Sequence, residues 1–337
     1  MTRRIGFACK FVDNTGQTVP EYNFKTTTVA WLNSQSKSAA ADRLWSLMQY
    51  NIGALSAVIH RVGTLDPEQR MMRIGSDMLP VYTEPNWSWF WKQDDVRNYV
   101  SANLAHIGTS ARNLDIRLSF HPGQFTVLAS DSPDVVDRSI EEFEYHADMA
   151  RWMGYGTDWH DHGFKINVHI AGRAGTKGII DVLDRLSPEA RNLISIENCE
   201  VTHGLDACLR LRKHVALVLD IHHHFIKTGE YIQSTDDRVK KIVDSWRGVR
   251  PTMHYSLSRE DLLVEHSAVD LPDLKVLLES GHKKAKLRAH SDMMWNTAAN
   301  DWALSFIDQF DIMVEAKNKN LASQQLYEQW KKSIPSV

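Results

Sequence analysis

The sequence predicts an α/β fold, a (β/α)8 or TIM barrel forming a single domain over residues 1–337. Short β-rich runs recur down the whole chain, and each is followed by a helical pattern. Eight such units is the number that closes a parallel sheet into a barrel. Gly and Pro are scattered singly, so no linker divides the chain.

The strand runs are Arg4–Cys9, Met71–Gly75, Ile116–Phe120, Lys165–His169, Leu193–Glu197, Val215–Asp220, Thr252–Ser256 and Phe310–Glu315. Between them, Ser132–Met153 reads as a helix because Pro133 suits a first turn and Val136, Ile140, Phe143 and Ala147 share one face. Ala39–Tyr50, Asp94–Leu114, Gly178–Leu186, His203–Lys213, Asp236–Trp246, Leu271–Glu279 and Asn320–Lys331 are the other helix candidates. Residues 10–70 fit least well, since Thr26–Asn33 also looks strand-like and the first crossover is long. A doubly wound open sheet is the alternative fold.

Composition narrows the class. With 43% hydrophobic and 24% charged residues and a net charge of -3, the chain has ordinary soluble-globular character. The longest clean apolar run, Val215–Leu219, is far short of the ~20 residues of a spanning helix, and the first residues lack the apolar stretch of an export signal. Cys9, Cys199 and Cys208 have no C-x-x-C spacing, which argues against a disulfide framework or zinc ribbon and favours a reducing cytoplasm. Sixteen histidines are the unusual feature.

Chemistry in a barrel sits at the carboxyl ends of its strands. There the third strand runs into His121–Gln124, the fourth ends at His169, the fifth at Glu197 and the sixth at Asp220–His224. His254 lies on the seventh, and Glu315 ends the eighth. One such residue is ordinarily a hydrogen-bonded turn residue. Six strands aiming imidazoles and carboxylates at one rim, with no cationic partner of their own, invite metal ions, because uncompensated buried charge is expensive. Mixed His and carboxylate donors without cysteine suit Mn, Zn or Fe rather than Ca. The surplus of donors implies more than one ion, and two ions ~4 Å apart are a standard device for in-line attack at phosphorus. Glu197, central in the series, is the natural bridging carboxylate. No phosphate loop, dinucleotide fingerprint or Ser/Cys nucleophile signature is present.

These segments resemble the UV damage endonuclease family. The resemblance rests on Arg4–Cys9, Leu118–Phe125 (LSFHPGQF), Asn167–Gly172, Ile196–Asn198, Leu219–His224 (LDIHHH), His254–Ser256, Arg288–Asp292 and Met313–Lys317, in the family's order and across nearly the whole chain. It implies a metal-dependent barrel related to endonuclease IV. It also implies incision on the 5′ side of pyrimidine dimers, (6-4) photoproducts and abasic sites, with manganese as the usual metal. Carried over by motif, the ligands are His121, His169, Glu197, Asp220, His223, His254, His290 and Glu315, for two or three divalent ions. Mn is the first choice, and Zn, Co or Mg are alternatives. Glu197, His169, His254 and Glu315 are the expected catalytic set. His290 follows a solvated-looking run, and the resemblance alone selects it. Strand alternation would pair Asp220 with His222, whereas the resemblance selects His223, which requires a turn directly after Asp220.

The chain departs from the family pattern in four places. Glu84 stands where a histidine ligand is usual and is kept as a metal candidate, Thr252 replaces a lysine, Phe11 an asparagine and Phe7 a tyrosine. Phe7 is kept as a DNA contact. Gln124 and Phe125 are the expected damage-reading pair, because chemically different lesions share only a duplex that opens cheaply. Lys283, Lys284, Lys286 and Arg288 are the candidate phosphate contacts, although such a run is usually a solvated face. The Trp87–Trp91 aromatic cluster reads as loop core, with stacking on displaced bases the alternative.

The expected partner is damaged double-stranded DNA, with no membrane partner and a monomeric state. Two rival readings are a divalent-metal sugar isomerase on a related barrel and a catalytically impaired damage-binding protein.

Overall fold

In the computed structural model, which describes residues 2–334, eight parallel strands close into a barrel in sequence order, β1-β2-β3-β4-β5-β6-β7-β8. The strands are β1 (Ile5–Ala8), β2 (Met71–Ile74), β3 (Arg117–Phe120), β4 (Lys165–His169), β5 (Ile194–Glu197), β6 (Ala216–Asp220), β7 (Thr252–Tyr255) and β8 (Asp311–Val314). Each lies inside the run predicted for it. β1 pairs with both β2 and β8, so the sheet has no edge and the doubly wound alternative is set aside.

Helices Asp94–Asn113 and Pro133–Trp152 fall within a residue of expectation. The predicted Ala39–Tyr50 helix is much longer, Lys37–Gly63, capped at its start by the Ser36 side chain. The strand-like Thr26–Asn33 is instead the short helix Val29–Asn33, whose Trp31 amide donates to the Thr28 side chain. A closed barrel offers no edge for a ninth strand, and the Thr28 cap settles the local competition. Helices Pro188–Leu193, Ile221–Thr228 and Thr297–Leu304 lie outside the segments predicted to be helical.

Alternation along each strand sends one set of side chains out to the helices and the other into the lumen. The lumen set is unusually polar, and contacts between non-neighbouring strands show that it points inward. Arg117 on β3 donates to Asp311 on β8 at 2.7 Å, Lys165 on β4 lies 3.0 Å from His254 on β7, and Arg73 on β2 pairs with Glu315 just past β8. Phe7 belongs to the outward set. It is 2% exposed, its ring meets Phe11 edge-on at 5.9 Å, and it packs in the main apolar core. The expected DNA contact by Phe7 is therefore corrected, because alternation on β1 turns it away from the rim.

The aromatic segment after β2, which includes the one-turn helix Ser88–Trp91, is core: Trp87, Phe90 and Trp91 are buried, and Trp91 donates its indole N–H to the Pro80 carbonyl. Among the described residues, no helix is long and apolar enough to cross a membrane.

Candidate metal centre

The carboxyl ends of β3 to β8 converge on Glu197. This side chain is fully buried at the end of β5, and Asn167 on β4 donates to its Oε2. Around it stand His254 Nδ1 at 3.0 Å, His223 Nδ1 at 3.4 Å and His121 Nε2 at 3.5 Å. His169 completes the ring of imidazoles, its centroid 5.0 Å from that of His121 and 5.3 Å from that of His223. Glu315 reaches His254 Nδ1 at 3.3 Å.

Two compact donor groups result, His121–His169–Glu197 and Glu197–Asp220–His254, each with one ligand atom per residue all within 4.8 Å of one another. Glu197 belongs to both. Its Oε1, together with Asp220 Oδ2 and His254 Nδ1, is buried without a hydrogen-bond partner. His254 Nδ1 is close to a carboxylate oxygen yet off the line of a hydrogen bond, as two ligands of one ion would be. Buried lone pairs left unmatched are costly, and this nitrogen and oxygen donor set fits Mn, Zn or Fe.

Local folding explains how Asp220 and His223 come together. β6 ends at Asp220, which caps the helix Ile221–Thr228 by accepting the His223 amide at 2.7 Å. The period changes there from that of a strand to that of a helix, and His223 Nδ1 lies 3.5 Å from Asp220 Oδ2. His222 turns elsewhere, with its ring 6.5 Å from that of His290. His290 reaches this flank of the rim through the isolated bridge between Ser258 and His290. Glu84 is in neither donor group, and its Oε1 accepts from Asn86 at 3.1 Å.

Electrostatics follow from burial. Desolvation pushes His169 and His254 down to about 4, against the pull of Glu197, so both imidazoles are neutral donors at pH 7. Burial would lower His223 too, but Asp220, Glu197 and Glu200 outweigh it and hold that imidazole well above its ordinary range. Burial opposes charge on Glu197, yet His254 and His169 keep it well below the usual carboxylate range. Such a centre can bind cations and polarise a bound water or oxyanion.

On the same rim, Gln124 and Phe125 project from the loop after β3, and Phe125 is 85% exposed. The basic run is partly spent within the protein, since Lys284 donates to the Lys227 carbonyl at 3.0 Å and Arg288 pairs with Glu200 at 3.3 Å. Lys283 and Lys286 are exposed.

Three lumen residues went unnoticed in the sequence: Arg73 beside Glu315, Asn167 on Glu197, and Lys165 on His254. Period-two alternation on β4, which puts Lys165, Asn167 and His169 on one face, was the signal that could have found two of them.

The family model described as UV-endonuclease UvdE matches residues 3–335. A UV DNA damage endonuclease of Bacillus velezensis is 26% identical over 315 residues, covering 90% of this chain and 88% of the relative. One of Bacillus cereus is 24% identical over 309 residues, covering 88% and 86%. Among solved structures, that of SacUVDE superposes with a TM-score of 0.73 at 23% identity, covering 98% of each chain. Endonuclease IV from Thermus thermophilus superposes with a TM-score of 0.53 at 10% identity, covering 84% and 96%.

Proposed function

Because the chain belongs to the UV-endonuclease UvdE family, we propose that it is a divalent-metal endonuclease. In this reading it hydrolyses the phosphodiester on the 5′ side of UV photoproducts, and of abasic sites, in duplex DNA. The observation that carries the reading is Glu197, shared by two donor groups at the barrel rim. With Glu197 among them, these groups would hold divalent ions, which would supply the charge that in-line displacement at phosphorus needs. His121, His169, Asp220, His223, His254 and Glu315 complete the ligand shell, with His290 on its flank. Bound ions would supply a water acidic enough to attack and a charge to receive the leaving oxygen. The chain's own part is to place the neutral imidazoles of His169 and His254, and fixed carboxylates, around that point.

Gln124 and Phe125 read the lesion in this proposal. An 85%-exposed phenyl ring earns no packing energy in the free protein, whereas it can fill the gap left by extruded bases. A Cβ at Gly123 would meet nothing within 4 Å, so the loop is open on that side to an approaching backbone.

The test is nicking of a duplex carrying one pyrimidine dimer, with Mn and with chelator. Mn-dependent incision 5′ of the dimer is expected, and Glu197→Gln is expected to abolish it while the far-UV spectrum is unchanged. A fully active Glu197→Gln protein sinks the mechanism. Isomerisation of a sugar without nicking would establish the rival reading.

A further inference from the structure

Phosphates approaching this centre meet a rim rich in carboxylates, so the strand being cut needs cations close by. The exposed run from Lys283 to Arg288 only partly provides them, since two of its members are engaged.

Another pair stands at the seam between β1 and β8. Lys10 stands two residues past the end of β1, and Lys319 opens the last helix, four residues beyond Glu315. Both have left-handed backbone conformations, with φ of 73° and 48°. Side chains with a Cβ rarely adopt that region, and such outliers persist only where the surroundings impose them. Here the restraint is visible: Val12 N donates to Asn320 Oδ1 at 2.8 Å, and Asn320 Nδ2 returns a bond to Val12 O at 3.0 Å. The loop after β1 and the start of the last helix are thereby clamped together. Nearby cations are already used, Arg73 on Glu315 and Lys317 on Asp292 at 2.8 Å, whereas among the described residues neither Lys10 nor Lys319 has an ion-pair partner. Lys10 lies two residues before Val12 and Lys319 directly before Asn320, so this pair of hydrogen bonds brings both lysines to the β1–β8 seam.

We propose that Lys10 and Lys319 form a phosphate clamp across the β1–β8 seam, holding the backbone of the incised strand beside Glu315. This rests on the endonuclease reading above. An ammonium is a compact point charge suited to a phosphate oxygen. Two of them on a rigid, strained seam set the register of the strand without reading its bases.

The test uses the full chain loaded with Mn. Lys10→Gly and Lys319→Gly remove the charge but suit the left-handed backbone, so the melting temperature is expected to hold or rise. Each variant is expected to bind undamaged duplex several-fold more weakly and to flatten the slope of log K against log salt by about 0.9. Incision of dimer-containing duplex should fall by at least the same factor at sub-saturating DNA, and Lys319→Arg should keep the slope. Unchanged affinity and slope in both glycine variants overturn the clamp, as does a lowered melting temperature with an unchanged slope. If those variants match a parent that nicks the dimer, only the clamp fails. If the parent neither binds nor nicks DNA, the endonuclease reading fails with it.

Discussion

His254 is held from both sides, and the two contacts constrain one another. Its Nδ1 faces Glu197 and Glu315, and its Nε2 lies 3.0 Å from Lys165 Nζ. For Nδ1 to bind a cation, Nε2 must carry the ring proton, and Lys165 must then accept it with a neutral amine. Burial makes that amine available by pushing Lys165 from 10.5 down to about 7, although Glu197 pulls the other way. Lys165→Met is therefore expected to cost about ten- to a hundred-fold in metal affinity, as loss of a partner behind a ligand does; competitive metal titration measures it. The same group marks stability. Its pKa is lower folded than unfolded, so between about 7 and 10.5 the unfolded chain binds more protons and stability rises with pH. Lys165→Met should lack that rise, and parallel urea midpoints from pH 7 to 10 in the two proteins would contradict the assignment. His146 and His160 work in the acid range: burial lowers them to about 4 and about 3. The unfolded chain again binds the extra protons, so stability should fall as pH drops from 6.5 towards those values.

Elements carry what single residues cannot, and they also show what the sequence made legible. The strands were readable because each is a short apolar or β-branched run bounded by turn residues, and their ends named most of the rim. Alternation failed at Asp220 because that residue is both the last of a strand and the cap of a helix. A helix starting there turns His223 toward Glu197 and His222 away. His223→Ala is expected to lose far more metal than His222→Ala, and the reverse order in elemental analysis would show the ligand assignment to be wrong. Lys165, Asn167 and Arg73 escaped notice because polar residues inside a barrel contradict the usual apolar filling, and only cross-lumen geometry explains them. Phe7 differs for the opposite reason: a family position says nothing of which way β1 turns its side chain, and here it faces the helices. The loop after β3 makes its own prediction. Gln124→Ala with Phe125→Ala should weaken binding to damaged duplex far more than to undamaged duplex, with metal content unchanged. An equal loss on both DNAs would remove the loop from lesion reading.

At the scale of the whole molecule, the barrel separates its chemistry from its stability along one axis. The rim gathers the donors around Glu197, while the opposite end is closed by a different charge cluster. There Asp311 opens β8 fully buried, accepting Arg117 Nη1 at 2.7 Å, Arg250 Nε at 2.6 Å and the Arg4 backbone amide at 3.0 Å. Three strands or their approaches are pinned to one carboxylate, and Arg117 is itself buried, with Nη2 lacking any partner. Burial already lowers the pKa of Arg117 against the pull of Asp311, so its charge has little compensation to spare. Removing that carboxylate strands a guanidinium in the lumen, and breaking a buried pair costs about 3–5 kcal/mol. Asp311→Ala is accordingly expected to lower the unfolding free energy by that amount. Metal content and incision per folded molecule should stay at the parent level, because the donors at the rim belong to other strand ends. Urea unfolding read beside elemental analysis decides it. A variant that keeps its stability would mean the arginines find other partners, and one that stays folded but loses metal would mean the two ends of the barrel are coupled through the Lys165–His254 contact between them.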